Sequence, residues 1–211
     1  MRRREFITLL GGAAAWPLAA GAQQSGRVYK IGTLTAGGEA DLRELRSVFS
    51  EALRELGWIE GKNIVMERRY AEDRLERLPE LAAELVRLDV DVIVAVGTLA
   101  PLAAKRATAG IPIVMSSAGD PLGSGLVANL AQPGGNVTGL SLMVPDIGGK
   151  RLELVKELVP RVSLVAVLWN AANPYHALVF KATESAAKTL GIQIKPAEVR
   201  GPDDFDSALK Q

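Results

Sequence analysis

The chain has 211 residues, 48% of them hydrophobic, with few aromatics and 21 glycines, a composition that suits one or two α/β domains with a sizeable core. A formal net charge of +1 and the absence of cysteine exclude a basic field for nucleic acid, disulfides, thiolate metal sites and a lipid-modified N-terminal cysteine. The single histidine, His176, falls short of the several ligands that a zinc site needs, and no cofactor is expected.

The N-terminus reads as an export signal. Arg2, Arg3 and Arg4 precede a mild apolar run from Thr8 to Ala20, which is weakened by Gly11, Gly12 and Pro17 and ends in Ala20-Gly21-Ala22. A basic start, a short apolar stretch and an A-x-A site are the parts of a signal cleaved after Ala22. The order Arg3-Arg4-Glu5-Phe6-Ile7 favours the twin-arginine route over the general one. Residues 1–22 hold three Arg and one Glu, so the remainder carries a net charge of −1. Nothing electrostatic then draws the mature chain to nucleic acid or an anionic membrane. No later stretch approaches the roughly 20 uninterrupted apolar residues of a membrane span. The periplasm is the expected compartment.

In chain order, Val28–Thr35 (VYKIGTLT) predicts a strand, followed by Gly37-Gly38 and a helix over about 39–56. The apolar residues of that helix, among them Leu42, Leu45, Phe49, Leu53 and Leu56, recur at spacings of three and four. Residues 63–70 predict a second strand near a sheet edge, because Glu67, Arg68 and Arg69 suit no doubly buried strand. A helix around Pro79 to Leu88 leads to Val90–Val96, an apolar run expected to be buried on both faces. A helix follows from Ala100, then a strand over Ile111–Met115 and a small-residue helix over Gly123–Leu130. The turn Gln132-Pro133-Gly134-Gly135-Asn136 introduces a fifth strand, Val137–Leu142. Five strands interleaved with helices make a doubly wound parallel α/β lobe over 28–143. The pattern restarts over 144–211. Asp146 caps a helix to Leu158, Ser163–Trp169 reads as a buried strand, Asn173-Pro174 opens a helix to Leu190, and Ile192–Val199 is a strand. Two strands make an incomplete second lobe.

Open parallel sheets place ligands at the carboxyl ends of their strands. Gly97-Thr98 offers backbone N–H groups and a hydroxyl at a helix start, where Thr98 is equally an ordinary N-cap. The loop 33–38, containing Thr35 and Ala36, is a contact loop or only a glycine turn. Ser116 and Ser117 are small hydroxyls at the end of the fourth strand, and Asp120 before Pro121 is an amine-binding carboxylate or a cap. Asn170 ends the first strand of the second unit, where an Asx turn before Pro174 is the plain alternative. His176 is expected to cap the helix or face solvent. Enzyme signatures fail: Gly119, Gly123 and Gly125 do not make the dinucleotide fingerprint, and Gly148-Gly149-Lys150-Arg151 lacks the first glycine and the Ser/Thr of a P-loop. There is no G-x-S-x-G elbow and no catalytic residue is nominated.

The segments MRRREFITLLGGAAAWPLAAGAQQ, LRELGWIEGKNIVMERRYAE, ERLPELAAELVRLDVDVIVAVGT, GDPLGSGLVANLAQPGGNVTGLS and VAVLWNAANPYHALVFKATESAAKTLGIQ resemble the ABC transporter substrate-binding protein family that includes tryptophan- and tyrosine-type binding proteins. The resemblance implies a type I periplasmic-binding-protein fold, in which two α/β lobes close on a solute and deliver it to permease subunits in the inner membrane. It implies a monomer with no enzymatic activity. It also maps ligand contacts onto Thr35–Ala36, Gly97–Thr98, Ser116–Asp120 and Asn170. Family members are longer, so the first lobe is expected to be complete and the second truncated. A truncated non-binding remnant and an α/β enzyme acting on a nucleotide or sugar are the competing readings.

Overall fold

The computed structural model describes residues 27–40, 42–142 and 147–210. The export signal, the helix cap expected at Asp146 and the boundary between the two expected lobes lie outside these residues. The first unit contains β1 (Tyr29–Thr35), α1 (Arg43–Glu55), β2 (Ile64–Tyr70), a 3-10 turn (Leu75–Arg77), α2 (Leu78–Arg87), β3 (Val92–Val96), α3 (Leu99–Ala107), β4 (Ile113–Ala118) and β5 (Val137–Ser141). Its five strands run parallel in the order β2-β1-β3-β4-β5. The order reverses at β1 and β3, and that is where an open α/β sheet forms its crevice. The second unit contains α4 (Ile147–Leu158), β6 (Leu164–Asn170), α5 (Pro174–Leu190), β7 (Gln193–Val199), a 3-10 turn (Pro202–Asp204) and α6 (Phe205–Lys210). Its sheet has two parallel strands, β6 and β7, paired from Leu164 with Gln193 to Asn170 with Val199.

The charged residues of β2 are explained by its edge position. Arg68 makes a two-pronged bond to Glu60 at 2.9 and 2.7 Å, and Arg69 reaches Glu84 on α2 at 2.6 Å. The two arginines project to opposite faces of the strand, and their charges discourage pairing of this edge with another chain.

One face of the first sheet is well packed. Leu34, Ile93, Ala95, Ile113 and Met115 meet Leu78, Leu81, Ala82 and Leu85 of α2 and Ala100, Ala103 and Ala104 of α3. Gly32 on β1 makes room for this contact, since a Cβ there would lie 3.1 Å from Leu85 and 3.2 Å from Val90. The alanines of α3 do the same for its approach to β3 and β4.

The opposite face differs from expectation. Val92, Val94 and Val96 are half-exposed while Ile93 and Ala95 are buried, so β3 is not covered on both sides. Of the helices, α1 is the one that lines this face, and none of its residues is buried although its apolar and polar sides are well separated. The second unit shows the same one-sided cover. Leu152, Ala187 and Ile192 form a small core, whereas Leu164 and Leu168 on the other face of β6 are 55% and 45% exposed. The strand expected to be buried over 163–169 is therefore half-buried on the side of Val165 and Val167 and exposed on the side of Leu164 and Leu168.

Residues 123–130 form turns instead of the expected helix. Gly125 takes a left-handed φ of 74°, and the N–H groups of Leu126 and Val127 both donate to the Pro121 carbonyl, which closes the chain into a compact loop. Among the described residues no helix is long and apolar enough to cross a membrane.

Candidate functional site

The strand-end loops of both sheets approach one another through α5. The ring of Tyr175 lies on the backbone at Gly119, where an added Cβ would sit 2.2 Å from the Tyr175 Cγ, and Leu178 abuts Gly123 in the same way at 2.6 Å. Only glycine at these two positions allows α5 so close to the loop after β4.

On the first unit, Thr98 ties two crevice loops together. It stands at the N-terminus of α3 but makes no side-chain cap bond. Its buried hydroxyl instead accepts from the Gly119 N–H at 3.1 Å. Gly97 turns with φ 78° and donates its N–H to the Ser116 carbonyl at 2.8 Å. Ser117 is exposed with φ 60°, beside a register shift between Met115 and Ala118 that bends the end of β4. Asp120 holds the turn that follows it, its carboxylate accepting from the Gly123 N–H at 2.9 Å. Thr35 is buried, and with Ser116 it lines a small cavity of about 90 Å³ beneath α1 that also meets Tyr70 and Arg46. Ala36 accepts from the Asp73 N–H at 2.8 Å, which pins the loop after β2 to the loop after β1.

On the second unit, the Asn170 side chain accepts from the Ala172 N–H at 2.9 Å and the Asn173 side chain from the Tyr175 N–H at 3.1 Å. The Asx turn and the helix cap are thus both formed. The Asn170 N–H donates to Nδ1 of His176 at 3.3 Å. His176 is half-buried at the start of α5 instead of solvent-facing, and burial lowers its pKa from the usual histidine value.

Between the units lies a cavity of about 480 Å³, bounded by Asp73 and Leu75 on one side and by Trp169, Asn170, His176 and Arg200 among others on the opposite side. Of the residues nominated from sequence, Asn170 lines it. Thr35 and Ser116 meet instead beneath α1, while Thr98 and Asp120 bond within the loops. The contributions of Asp73, His176 and Arg200 were missed. The loops after β2 and β7 were open to the strand-end argument, but the first carries neither glycine nor hydroxyl and the second carries Gly201 with no hydroxyl beside it.

The family model of the ABC transporter substrate binding protein matches residues 38–211. The chain belongs to this family. The chain is 35% identical over 132 residues to the tyrosine-binding protein of Clostridioides difficile, a match covering 63% of this chain and 38% of that protein. It superposes on a conserved domain protein from Vibrio cholerae O1 biovar El Tor with a TM-score of 0.79 at 30% identity. It superposes on an ABC domain in complex with L-Trp from Streptococcus pneumonia with a TM-score of 0.77 at 25% identity. Each structural match covers 86% of this chain and 61% of the other. The chain thus spans less than two thirds of each of these relatives, and it has the parallel α/β architecture of type I periplasmic binding proteins.

Proposed function

We propose that the chain is the solute-binding component of an ABC importer, taking a small solute between its two α/β units and handing it to permease subunits in the inner membrane. The cavity of about 480 Å³ carries this reading, because its volume lies in the range of small-molecule sites and strand ends from both sheets bound it. An amino acid is the leading class of solute. The name of the Clostridioides difficile relative and the L-Trp bound to the Streptococcus structure support that class. The groups in the cavity suit holding better than chemistry: an amide, an indole, a guanidinium, a carboxylate and an imidazole whose Nδ1 is already engaged.

In this reading the protein works as a monomer in the periplasm, after cleavage of residues 1–22 behind Ala22. Residues 28–143 form a complete lobe and residues 144–211 an incomplete one, a division supported by the two-stranded second sheet and its exposed leucines. Thr35, Ala36, Gly97, Thr98, Ser116, Ser117, Asp120 and Asn170 remain the proposed contact loops, and Asn170 among them lines the cavity. A thermal-shift screen of the purified protein against amino acids, sugars and aromatic acids tests the proposal. A solute at 100 times its Kd should add about 2.7 kcal/mol of stability. A folded sample that no solute stabilises would instead favour the non-binding remnant.

A further inference from the structure

The cavity between the units is chemically two-sided. From the first unit it receives Asp73, on the loop after β2. Glu72 and Asp73 both hold left-handed backbone, with φ 53° and 59°, a conformation that disfavours a side chain by about 1–2 kcal/mol per residue. The Asp73 N–H fixes this turn by donating to the Ala36 carbonyl. The carboxylate is thereby carried on a strained loop that is anchored to the neighbouring strand end.

From the second unit the same cavity receives donors. His176 accepts at Nδ1 from the Asn170 N–H, so the neutral ring carries its proton on Nε2 and presents a donor there. Arg200 commits Nε and Nη2 to Glu198, at 3.2 and 2.9 Å, and a guanidinium has five N–H donors in all. The indole Nε1 of Trp169, which also lines the cavity, is buried with no hydrogen-bond partner among the described residues. A buried donor left unmatched is costly. Leu75, Leu168, Val199 and Phe205 supply the apolar remainder of the wall.

We propose that this cavity selects a zwitterion by dividing its charges between the units: the ligand's ammonium donates to Asp73, and its carboxylate accepts from His176 Nε2–H and Arg200. The inference rests on the solute-receptor reading above and makes it specific for free α-amino acids with an apolar or aromatic side chain. It also makes the ligand itself the bridge across the cleft.

The test is isothermal titration calorimetry of the full chain with each standard amino acid, glucose and benzoate. The best-binding amino acid is then compared with its N-acetyl and carboxamide derivatives. Asp73→Asn is the gentle variant, because Asn tolerates left-handed backbone. Arg200→Gln removes an exposed side chain whose guanidinium bonds Glu198. Each blocked derivative should bind about tenfold or more weakly than the free amino acid. Asp73→Asn should weaken the free amino acid by a similar factor while leaving the N-acetyl form unchanged, and Arg200→Gln should do the same with respect to the carboxamide. A merely structural role for either residue would weaken all forms alike. Blocked forms that bind as well as the free one, or variants that bind like the parent, would overturn the inference. Binding of glucose or benzoate alone would also overturn it while sparing the receptor reading, whereas no binding by any solute would sink both.

Discussion

β3 and β6 have nearly the same sequence character, VIVAV against LVAVLWN, yet they have different surroundings. β3 has a hydrogen-bonded neighbour on each side, and α3 lies across its packed face, so Ile93 and Ala95 are buried. β6 pairs with β7 alone, and its alternate residues Leu164 and Leu168 stay exposed. An apolar run therefore states what a strand can bury, while the layers around it decide what it does bury.

The sharpest break in this comparison comes from side-chain truncation. Leu85→Ala, in the filled core against Gly32, should cost about 2–5 kcal/mol in urea denaturation. Leu164→Ala on the open face of β6 should stay within about 0.5 kcal/mol. Equal losses would mean that the second sheet is covered in solution. At the seam between the units, Gly119→Ala drives a methyl into Tyr175 and should cost about 1–3 kcal/mol. Adding Tyr175→Ala should return part of that loss, a coupling that a double-mutant cycle would measure.

Within the first unit, Thr98→Val leaves the Gly119 N–H without its buried acceptor, and a loss of about 1–3 kcal/mol is expected by thermal denaturation. His176 gives the seam a pH dependence. Its folded pKa lies below the ordinary 6.5, so the unfolded chain takes up a proton first as the pH falls. Stability should be full above about pH 6.5 and decline as the pH falls toward the folded value. His176→Gln should flatten that part of the pH–stability curve. The smallest effect belongs to the edge strand. Glu60→Gln removes the bidentate partner of Arg68, and since Glu60 is largely exposed the cost should be under about 1 kcal/mol and shrink in high salt. Glu60 has a pKa lowered chiefly by that bond, so what it contributes is lost on acidification below the ordinary carboxylate range.

The order of strands and helices was legible because alternating apolar runs and periodic helices are local signals. The residues Val90–Val96 declared a strand and Asn173-Pro174 a helix start, and the edge position of β2 followed from Glu67, Arg68 and Arg69. The loop 123–130 misled because its small residues suit a helix, while Gly125 in left-handed backbone closes a turn. Coverage of the sheet faces was not legible, since it depends on neighbours distant in sequence. The site was half legible. Asn170 was found because an Asn-Ala-Ala-Asn-Pro stretch ends a strand. Asp73 was not, because its left-handed turn is built from Glu72 and Asp73 with no glycine to mark it. Nor was the tautomer of His176, which depends on a backbone N–H six residues away.

Gly119 offers a way to watch the cleft without a label. The hydrogen that stands where a side chain would begin lies against the Tyr175 ring, inside the magnetic field of its circulating π electrons. The resonance of that proton is displaced while α5 rests on the loop after β4, and it should relax toward an ordinary glycine value as the two units part. A single assigned peak thereby becomes a ruler for how closely the two units sit.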